Sequence, residues 1–303
     1  MLAIAHLSHV YPNGTRALDD VTLTVPRGMY GLLGPNGAGK STLMRAIATL
    51  QIPTSGSITL ETEGGRVDVL REPQALRAQL GYLPQDFGVY PRVSALEMLD
   101  HLAVLKGFSE RRARREVVEG LLAQVNLWDV RRKALAGFSG GMRQRFGIAQ
   151  ALIGNPKLII VDEPTAGLDP EERNRFNNLL AEIGQNVVVI LSTHIVEDVT
   201  DLCARMAIIA NGRIVREGVP HELIAGLAGR VWRRTVERAE LETFRAEHDV
   251  ISTRLSEGRT VVHVIADSSP GAGFERVNGT LEDVYFATLT EQRRRAAPLA
   301  AAA

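Results

Sequence analysis

Cysteine is almost absent from this chain of 303 residues, since Cys203 is the only one. A single cysteine excludes a disulfide framework and a cysteine-based zinc site. Lys and Arg together number 35, as do Asp and Glu, so no excess of positive charge favours nucleic acid, and we expect no nucleic-acid partner. The sequence also lacks any run of the roughly 18 apolar residues that a membrane-spanning helix needs. We therefore expect any membrane role to come through a partner.

What is present is an alternation of strand-like and helix-like segments. Residues 158–217 alternate apolar strand patterns with helical ones, which predicts a parallel sheet with crossover helices. A more helical stretch interrupts this pattern at about 92–136. It opens with Ser94 and Glu97 in the spacing of a capping box, and a second helix is expected to begin at Ser109. The pattern predicts an α/β domain over residues 1–220 with a helical subdomain at about 90–137.

The C-terminal part changes character after a boundary marked by Pro220 and nearby glycines. Residues 221–290 contain a helical pattern at 238–247 and two β-like runs, joined through Glu257 and Gly258 in a predicted hairpin. A final helix is expected to start at Thr280, with Asp283 in capping position. We expect a small α+β accessory domain there. Residues 291–303 are rich in Arg and Ala and are expected to form a disordered tail.

The strongest local signal is the segment GPNGAGKST, which follows a short apolar strand and opens a helix. Its spacing is that of a phosphate-binding loop, in which backbone N–H groups and a helix N-terminus face phosphate oxygens. The lysine would contact the outer phosphates, and the serine hydroxyl would bind Mg²⁺. A plain glycine-rich turn is the alternative, and the spacing favours nucleotide binding. The residues are Gly34, Pro35, Asn36, Gly37, Ala38, Gly39, Lys40, Ser41 and Thr42.

Two further segments carry candidate chemistry. In LIIVDEP an apolar strand ends in Asp162 and Glu163, where an aspartate can support Mg²⁺ and a glutamate can activate water. The carboxylates alone could also cap the following turn. In FSGGMRQR, Ser139 can cap a helix whose first turn, Gly140 and Gly141, is free of side chains. For that segment alone, a structural cap and a phosphate-binding surface both remain open.

Together these motifs resemble those of the ATP-binding subunits of ABC transporters, over about residues 2–220. The resemblance implies a P-loop NTPase fold with an antiparallel β subdomain and a helical insertion. By the same resemblance, further positions match the family's ordered motifs. They are Gln85 as the Q-loop, Ser139 to Gly141 as the signature, Asp162 as the Walker B aspartate, Glu163 as the catalytic glutamate, Asp169 as the D-loop, His194 as the switch histidine and Tyr11 as the adenine-stacking aromatic.

The resemblance also implies a mechanism. Two subunits, in a homodimer or heterodimer, sandwich two ATP molecules between the phosphate loop of one chain and the signature of the other. Lys40 and His194 contact the phosphates, and Glu163 polarises the attacking water. Mg²⁺ is held by the residues Ser41, Gln85 and Asp162.

The signature departs from the family's usual Leu-Ser-Gly-Gly-Gln at two positions. Phe138 replaces Leu and preserves bulk, whereas Met142 replaces Gln and cannot donate an amide hydrogen bond. We expect activity to survive, because Ser139 and the glycines retain the phosphate-binding chemistry.

The helical insertion and the single ATPase unit resemble those of transporter subunits. The run from Gln150 to Pro170, together with TLEDVYFATLT at 280–290, looks like bacterial exporter-type ATPases. The resemblance implies a peripheral ATPase at the cytoplasmic face of the membrane, where it powers export of a drug, lipid or polysaccharide-like substrate through a separate permease. A soluble ABC ATPase acting as an assembly or regulatory module is the alternative. A small-molecule phosphotransferase is disfavoured, since it would not need Ser139 or His194 at these places.

A basic run, Arg111 to Arg115, lies in the helical insertion next to acidic residues. The simpler interpretation is a solvated helix face. Contact with lipid head groups or a membrane subunit is the alternative.

Overall fold

The structure is a computed structural model that describes residues 1–85, 88, 90–165, 168–256 and 258–300, with the backbone alone for 295–300. The strands are β1 (Leu2–Val10), β2 (Arg16–Val25), β3 (Gly28–Leu33), β4 (Ser55–Thr62), β5 (Gly65–Asp68), β6 (Leu80–Leu83), β7 (Leu158–Asp162), β8 (Val188–Thr193), β9 (Arg205–Ala210), β10 (Arg213–Gly218), β11 (Val231–Val236), β12 (Val250–Ser256), β13 (Arg259–Ile265) and β14 (Glu275–Arg276). The α-helices are α1 (Lys40–Ile47), α2 (Pro73–Gln79), α3 (Ala95–Leu105), α4 (Arg111–Gln124), α5 (Gly140–Leu152), α6 (Pro170–Ile183), α7 (Val196–Leu202), α8 (Pro220–Ala225), α9 (Leu241–Glu247) and α10 (Leu281–Ala300).

A six-stranded sheet in the order β10-β9-β3-β8-β7-β6 forms the centre of the molecule. All neighbours pair in parallel except β10, which runs antiparallel to β9. Strands β7 and β8 are buried along their whole length, as expected for strands covered on both faces. Because β3, β8 and β7 are adjacent and parallel, the segments after Leu33, Asp162 and Thr193 emerge at one edge of the sheet.

A second sheet, in the order β2-β1-β4-β5, is antiparallel throughout. Its buried residues, such as Leu2, Leu18 and Ile58, share one hydrophobic cluster with helix α1 and the central sheet. This arrangement confirms the predicted P-loop fold with an antiparallel β subdomain.

The helical insertion consists of α3 and α4, which pack against α5 through a common core with Leu99, Val118 and Phe146. The capping box at Ser94 is present, with reciprocal bonds to Glu97. Helix α4 is instead capped by Glu110, whose carboxylate accepts two backbone N–H groups. The helix therefore begins at Arg111, two residues after the predicted start at Ser109, because a carboxylate competes well for the capping position.

The basic run on α4 is largely paired within the subdomain. Arg112 and Arg115 contact Glu116 and Glu119 one turn further along the helix, and Arg114 lies 2.7 Å from Asp100 on α3. These pairs agree with a solvated helix face, since the guanidinium groups already have carboxylate partners.

The C-terminal unit contains a four-stranded antiparallel sheet in the order β12-β13-β11-β14. Its own small core includes Trp232, Phe244 and Val262. Helix α10 instead packs Val284 and Leu289 into the large core shared with the central sheet and the helical subdomain. The helix continues to Ala300, so most of the expected disordered tail is helical, as the helix propensity of Arg and Ala favours. The expected hairpin turn residue Glu257 lies outside the described residues.

No helix within the described part of the chain is long and apolar enough to cross a membrane.

Candidate functional site

The phosphate loop connects the end of β3 to the start of α1. Gly39 has φ +108°, a left-handed conformation that favours glycine, and a Cβ there would lie 2.5 Å from the carbonyl oxygen of Ala17. Lys40 is the first residue of the helix and is buried. Its Nζ donates to the carbonyl oxygens of Gly34 at 2.6 Å and Pro35 at 3.2 Å. The ammonium group is thus held inside the loop, with its pKa lowered by burial.

The carboxylates lie on the neighbouring strand edge. Asp162 is the last residue of β7 and is 5% exposed. Burial raises its pKa, and the adjacent Glu163 carboxylate adds to this rise. Glu163 adopts φ +48°, in the left-handed region, and its backbone N–H donates to the oxygen of Ser192 at 2.8 Å. This turn directs the Glu163 side chain away from the strand and toward the residues that follow β8.

Glu163 contacts two other sequence-predicted residues, His194 and Gln85. Nδ1 of His194, just after β8, lies 3.0 Å from Oε2 of Glu163. Nε2 of Gln85, just after β6, donates to the same oxygen at 3.5 Å. Gln85 and His194 lie 109 positions apart in the chain. They meet here because β6, β7 and β8 are adjacent parallel strands, whose carboxyl ends lie at the same edge of the sheet.

Gln85 and Glu163 line a cavity of about 620 Å³ at the edge of the sheet, together with the phosphate loop. Tyr11 lies at its rim, and the tyrosine hydroxyl is 3.1 Å from Oγ1 of Thr42. Its ring contacts that of His9 edge-on. The described lining residues are Tyr11, Thr15, Arg16, Ala17, Pro35, Asn36, Gly37, Gly39, Lys40, Ser41, Thr42, Gln85, Glu163, Asn211 and Gly212.

The turn between β9 and β10 is part of this wall and was not predicted. The N–H of Gly212 donates to the oxygen of Ala38 at 2.9 Å, and the oxygen of Gly212 accepts from the N–H of Asp19 at 2.9 Å. The sequence signal was a common Asn-Gly turn, at Asn211 and Gly212, which carries no information on its distant neighbours.

The signature segment lies at the N-terminus of α5. Ser139 accepts a hydrogen bond from the N–H of Met142 at 3.2 Å, which confirms the helix cap. Ser139 and Gly140 are exposed. A Cβ on Gly141 would lie 2.5 Å from Cδ of Glu172, so this glycine allows close packing of α5 on α6. Within the described residues, none of the three lines the cavity around Lys40.

Asp169 caps helix α6. Its carboxylate accepts a hydrogen bond from the N–H of Glu172 at 2.9 Å, and the residue is exposed. The cap accounts for its local structure. Ala166 and Gly167 of the same motif lie outside the described residues.

Asp198 is a buried carboxylate behind the site that the sequence did not single out. It accepts hydrogen bonds from Thr165, Arg173 and Asn177. Only the tertiary structure brings these residues together, so no local pattern could have indicated the cluster.

Comparison with known proteins agrees with this geometry. Residues 18–166 match the ABC transporter family. The chain is 37% identical over 268 residues to the daunorubicin/doxorubicin resistance ATP-binding protein DrrA of Streptomyces peucetius, covering 88% of this chain and 78% of that protein. The chain belongs to the ABC transporter family of ATP-binding proteins. Its activity is hydrolysis of ATP to energise transport.

Other members of the ABC family widen the comparison. The Nod factor export ATP-binding protein I of Cupriavidus pinatubonensis is 34% identical, covering 90% of this chain and 86% of that protein. Methionine import ATP-binding proteins match at comparable identity. A dimeric ATP-binding cassette solved with ADP and Pi aligns with a TM-score of 0.65 at 26% identity, covering 72% of this chain and 98% of that one.

The residues of this ABC ATPase also fit a magnesium ion beside the nucleotide. Mg²⁺ prefers oxygen ligands and is commonly held by one or two carboxylates together with substrate phosphates. The described residues contain no cluster of three or more His, Cys, Asp or Glu side chains that could hold a metal alone. Asp162 is a buried carboxylate close enough to Lys40 for the two to interact, and Ser41 adds a hydroxyl at the cavity wall.

Proposed function

We propose that this chain is the ATP-hydrolysing subunit of an exporter, and that it acts at the cytoplasmic face of the membrane with a separate membrane-spanning permease. One observation carries the hydrolytic part of the proposal: Glu163, His194 and Gln85 converge beside the phosphate loop at one edge of the central sheet. Lys40 and Glu163 line one cavity, and His194 contacts the Glu163 carboxylate, so a lysine for phosphate and a carboxylate for water are available for phosphate transfer to water.

Each group has a role that follows from its position. Lys40 and the N–H groups of the loop bind the outer phosphates. Glu163 accepts a proton from the attacking water, and His194, whose Nδ1 lies 3.0 Å away, orients that carboxylate and contacts the γ-phosphate. A magnesium ion, when bound by Ser41, Asp162 and Gln85, supplies charge neutralisation for the phosphates.

The active unit is proposed to be a dimer of two ATPase subunits. Ser139 and Gly140 form an exposed helix N-terminus that does not line the described cavity. Such a surface suits phosphate from outside its own chain. We propose that it covers the nucleotide bound at the phosphate loop of the second subunit, as the dimeric state of the solved cassette supports.

The surface for the permease is proposed to be a groove between the central sheet and the helical subdomain. This groove has a volume of about 550 Å³, and Leu50 and Leu105 line it. Both are well exposed for leucine, at 63% and 71%, and Ile52 nearby is exposed at 86%. Exposed apolar side chains around one groove are typical of a protein interface, and the permease is the partner that transport requires.

Export is inferred from the relatives named for drug resistance and Nod factor export, which are 37% and 34% identical to this chain. The transported molecule is proposed to be a drug, lipid or polysaccharide-like compound. Vesicles containing the chain and its permease test the proposal: ATP-dependent loss of substrate from the side that carries the ATPase supports export. ATP-dependent uptake toward that side would instead indicate import.

The hydrolytic role has its own test in Glu163→Gln. Because the amide cannot accept the proton of water, we expect kcat to fall by about 10²–10⁴-fold, with ATP binding retained and the dimer trapped. Gel filtration with and without ATP measures the trapped dimer. A variant that remains monomeric at saturating ATP would contradict the proposed sandwich.

A further inference from the structure

The cluster around Asp198 lies directly behind the proposed hydrolytic groups. Asp198 is 0% exposed. It accepts hydrogen bonds from Oγ1 of Thr165 at 2.6 Å, Nε of Arg173 at 2.8 Å and Nδ2 of Asn177 at 3.1 Å. A buried carboxylate is costly unless it is paired and fully hydrogen-bonded. Here both carboxylate oxygens accept hydrogen bonds, so the Asp198 side chain is held rigidly in place.

Three functional segments meet at the Asp198 carboxylate. Thr165 follows Glu163 by two residues, and Asp198 follows His194 by four. Arg173 and Asn177 belong to α6, the helix that Asp169 caps. One carboxylate thus connects the segments that carry the proposed water-activating glutamate, the histidine beside it and the exposed Asp169.

The turn that carries Glu163 needs such support. Its φ of +48° lies in the left-handed region, which is unfavourable for a residue with a Cβ. Conformations of this kind persist only where the surroundings over-determine them. On one side the Glu163 N–H is bonded to the oxygen of Ser192, and on the other side Thr165 is bonded to Asp198.

We propose that Asp198 is a positioning residue for hydrolysis. Through Thr165 it fixes the turn that carries Glu163, and through helix α7 it fixes His194, so that the 3.0 Å contact between these two side chains is maintained. This inference rests on the proposed function, in which Glu163 activates water. Asp198 is buried and does not line the described cavity around Lys40, so its effect passes through the Glu163 side chain.

The sharpest test removes a single hydrogen bond. Thr165→Val keeps the shape of the side chain and deletes the donor to Asp198, whereas Thr165→Ser keeps the donor. Thr288→Val is a matched control: Thr288 is 2% exposed, close to the 3% of Thr165, and its hydroxyl donates to the oxygen of Val284 at 2.7 Å within α10. All variants are compared in the full-length chain by kcat and KM for ATP and by thermal melting.

A misplaced catalytic group typically costs up to a hundredfold in rate. We therefore expect Thr165→Val to lower kcat roughly ten- to a hundredfold, with KM changed less than about twofold. Thr165→Ser should restore most of the rate. Thr288→Val should lose melting temperature to a similar degree but keep its kcat. An unchanged kcat in Thr165→Val, or an equal loss of kcat in Thr288→Val, would overturn the proposal.

A double variant separates positioning from general damage. If Thr165 acts through Glu163, adding Thr165→Val to Glu163→Gln should not lower the single-turnover rate further, because the group being positioned is already inactive. A further drop by the full factor of the single variant would overturn the inference. Failure of the proposed function has a different signature, since the unmodified chain would then release no phosphate with its permease.

Discussion

Two glycine-rich helix N-termini in this molecule offer the same backbone chemistry in different surroundings. The first opens α1 at Lys40, and the second opens α5 at Ser139. Both present unpaired N–H groups and the positive end of a helix dipole. The first is enclosed by its own chain, with Tyr11 and Glu163 on the cavity wall. The second is exposed and has no lysine. In the proposed dimer, the second helix end therefore becomes a binding site only when the surface of another chain covers it.

The largest effect that would test this contrast is expected from Lys40→Ala. The variant removes the buried ammonium group, and a hydrogen bond to a charged group contributes about 1.5–3 kcal/mol. We therefore expect ATP affinity to fall by roughly ten- to a hundredfold, as measured by equilibrium binding of a fluorescent ATP analogue.

Lys106→Ala is the matched control for that experiment. Nζ of Lys106 also donates to two backbone oxygens, those of Arg77 and Leu80, and burial also lowers its pKa. It lies outside the cavity around Lys40, so its loss should leave ATP affinity unchanged. Equal affinities in the wild type and Lys40→Ala would contradict the assignment of the first helix end.

Ser139→Ala tests the second helix end. In the proposed dimer this variant removes a hydrogen bond to phosphate, so the ATPase rate should fall about tenfold or more. ATP affinity of the single chain should not change, because Ser139 lies outside its own cavity.

The matched control for Ser139→Ala is Ser94→Ala, which deletes another helix cap. Each substitution should cost about 1 kcal/mol of stability as a lost cap, measured by chemical denaturation. Only Ser139→Ala should lose ATPase rate. If both variants hydrolyse ATP equally well, Ser139 is a cap and nothing more, and the contrast between the two helix ends disappears.

The sequence predicted those features that depend on neighbouring residues, and it missed those that depend on residues far apart in the chain. The strand 158–162 and a helix directly after the glycine-rich segment were predicted correctly, because an unbroken apolar run and glycine spacing are local signals. Strand β11 was missed, since its alternation is weak and two arginines interrupt it. The roles of Gly212 and Asp198 could not be predicted, because each depends on partners that only the sheet order brings near.

The buried carboxylate of Asp162, near the enclosed helix end, lowers the stability of the fold by an amount that can be measured. Burial raises the pKa of Asp162 in the folded protein, so the folded state holds its proton more tightly than the unfolded chain does. Stability from this group is present at low pH and is lost as pH rises through the folded-state pKa. Asp162→Asn should therefore raise the melting temperature of the nucleotide-free protein above that pH, and the gain should vanish below it.

Asp19→Asn is expected to change the melting temperature in the opposite direction. Hydrogen bonds from Arg213 and then Arg16 lower the pKa of Asp19, so its contribution to stability is present at neutral pH and is lost on acidification. The amide variant should therefore melt at a lower temperature than the wild type near neutral pH. Thermal melting between about pH 2 and pH 8 compares the two variants, because the contribution of Asp19 is lost only below the ordinary Asp pKa of about 3.9. A lower melting temperature for Asp162→Asn at pH 8 would show that the buried carboxylate stabilises the site.

The smallest effect is expected at Met142, the residue that departs from the usual signature. Its side chain is half-buried and packs against the large core, while its backbone N–H bonds to Ser139. Position 142 thus contacts the Ser139 cap through its backbone N–H, and any residue except proline preserves that contact.

We expect Met142→Gln to change the ATPase rate less than about threefold and to cost about 1 kcal/mol of stability through its partly buried amide. Met142→Leu keeps the apolar volume and should match the wild type in both measurements. A rise in rate of tenfold or more in Met142→Gln alone would mean that a side-chain amide at this position reaches the nucleotide, and that the exposed helix end is a weakened binding surface in this chain.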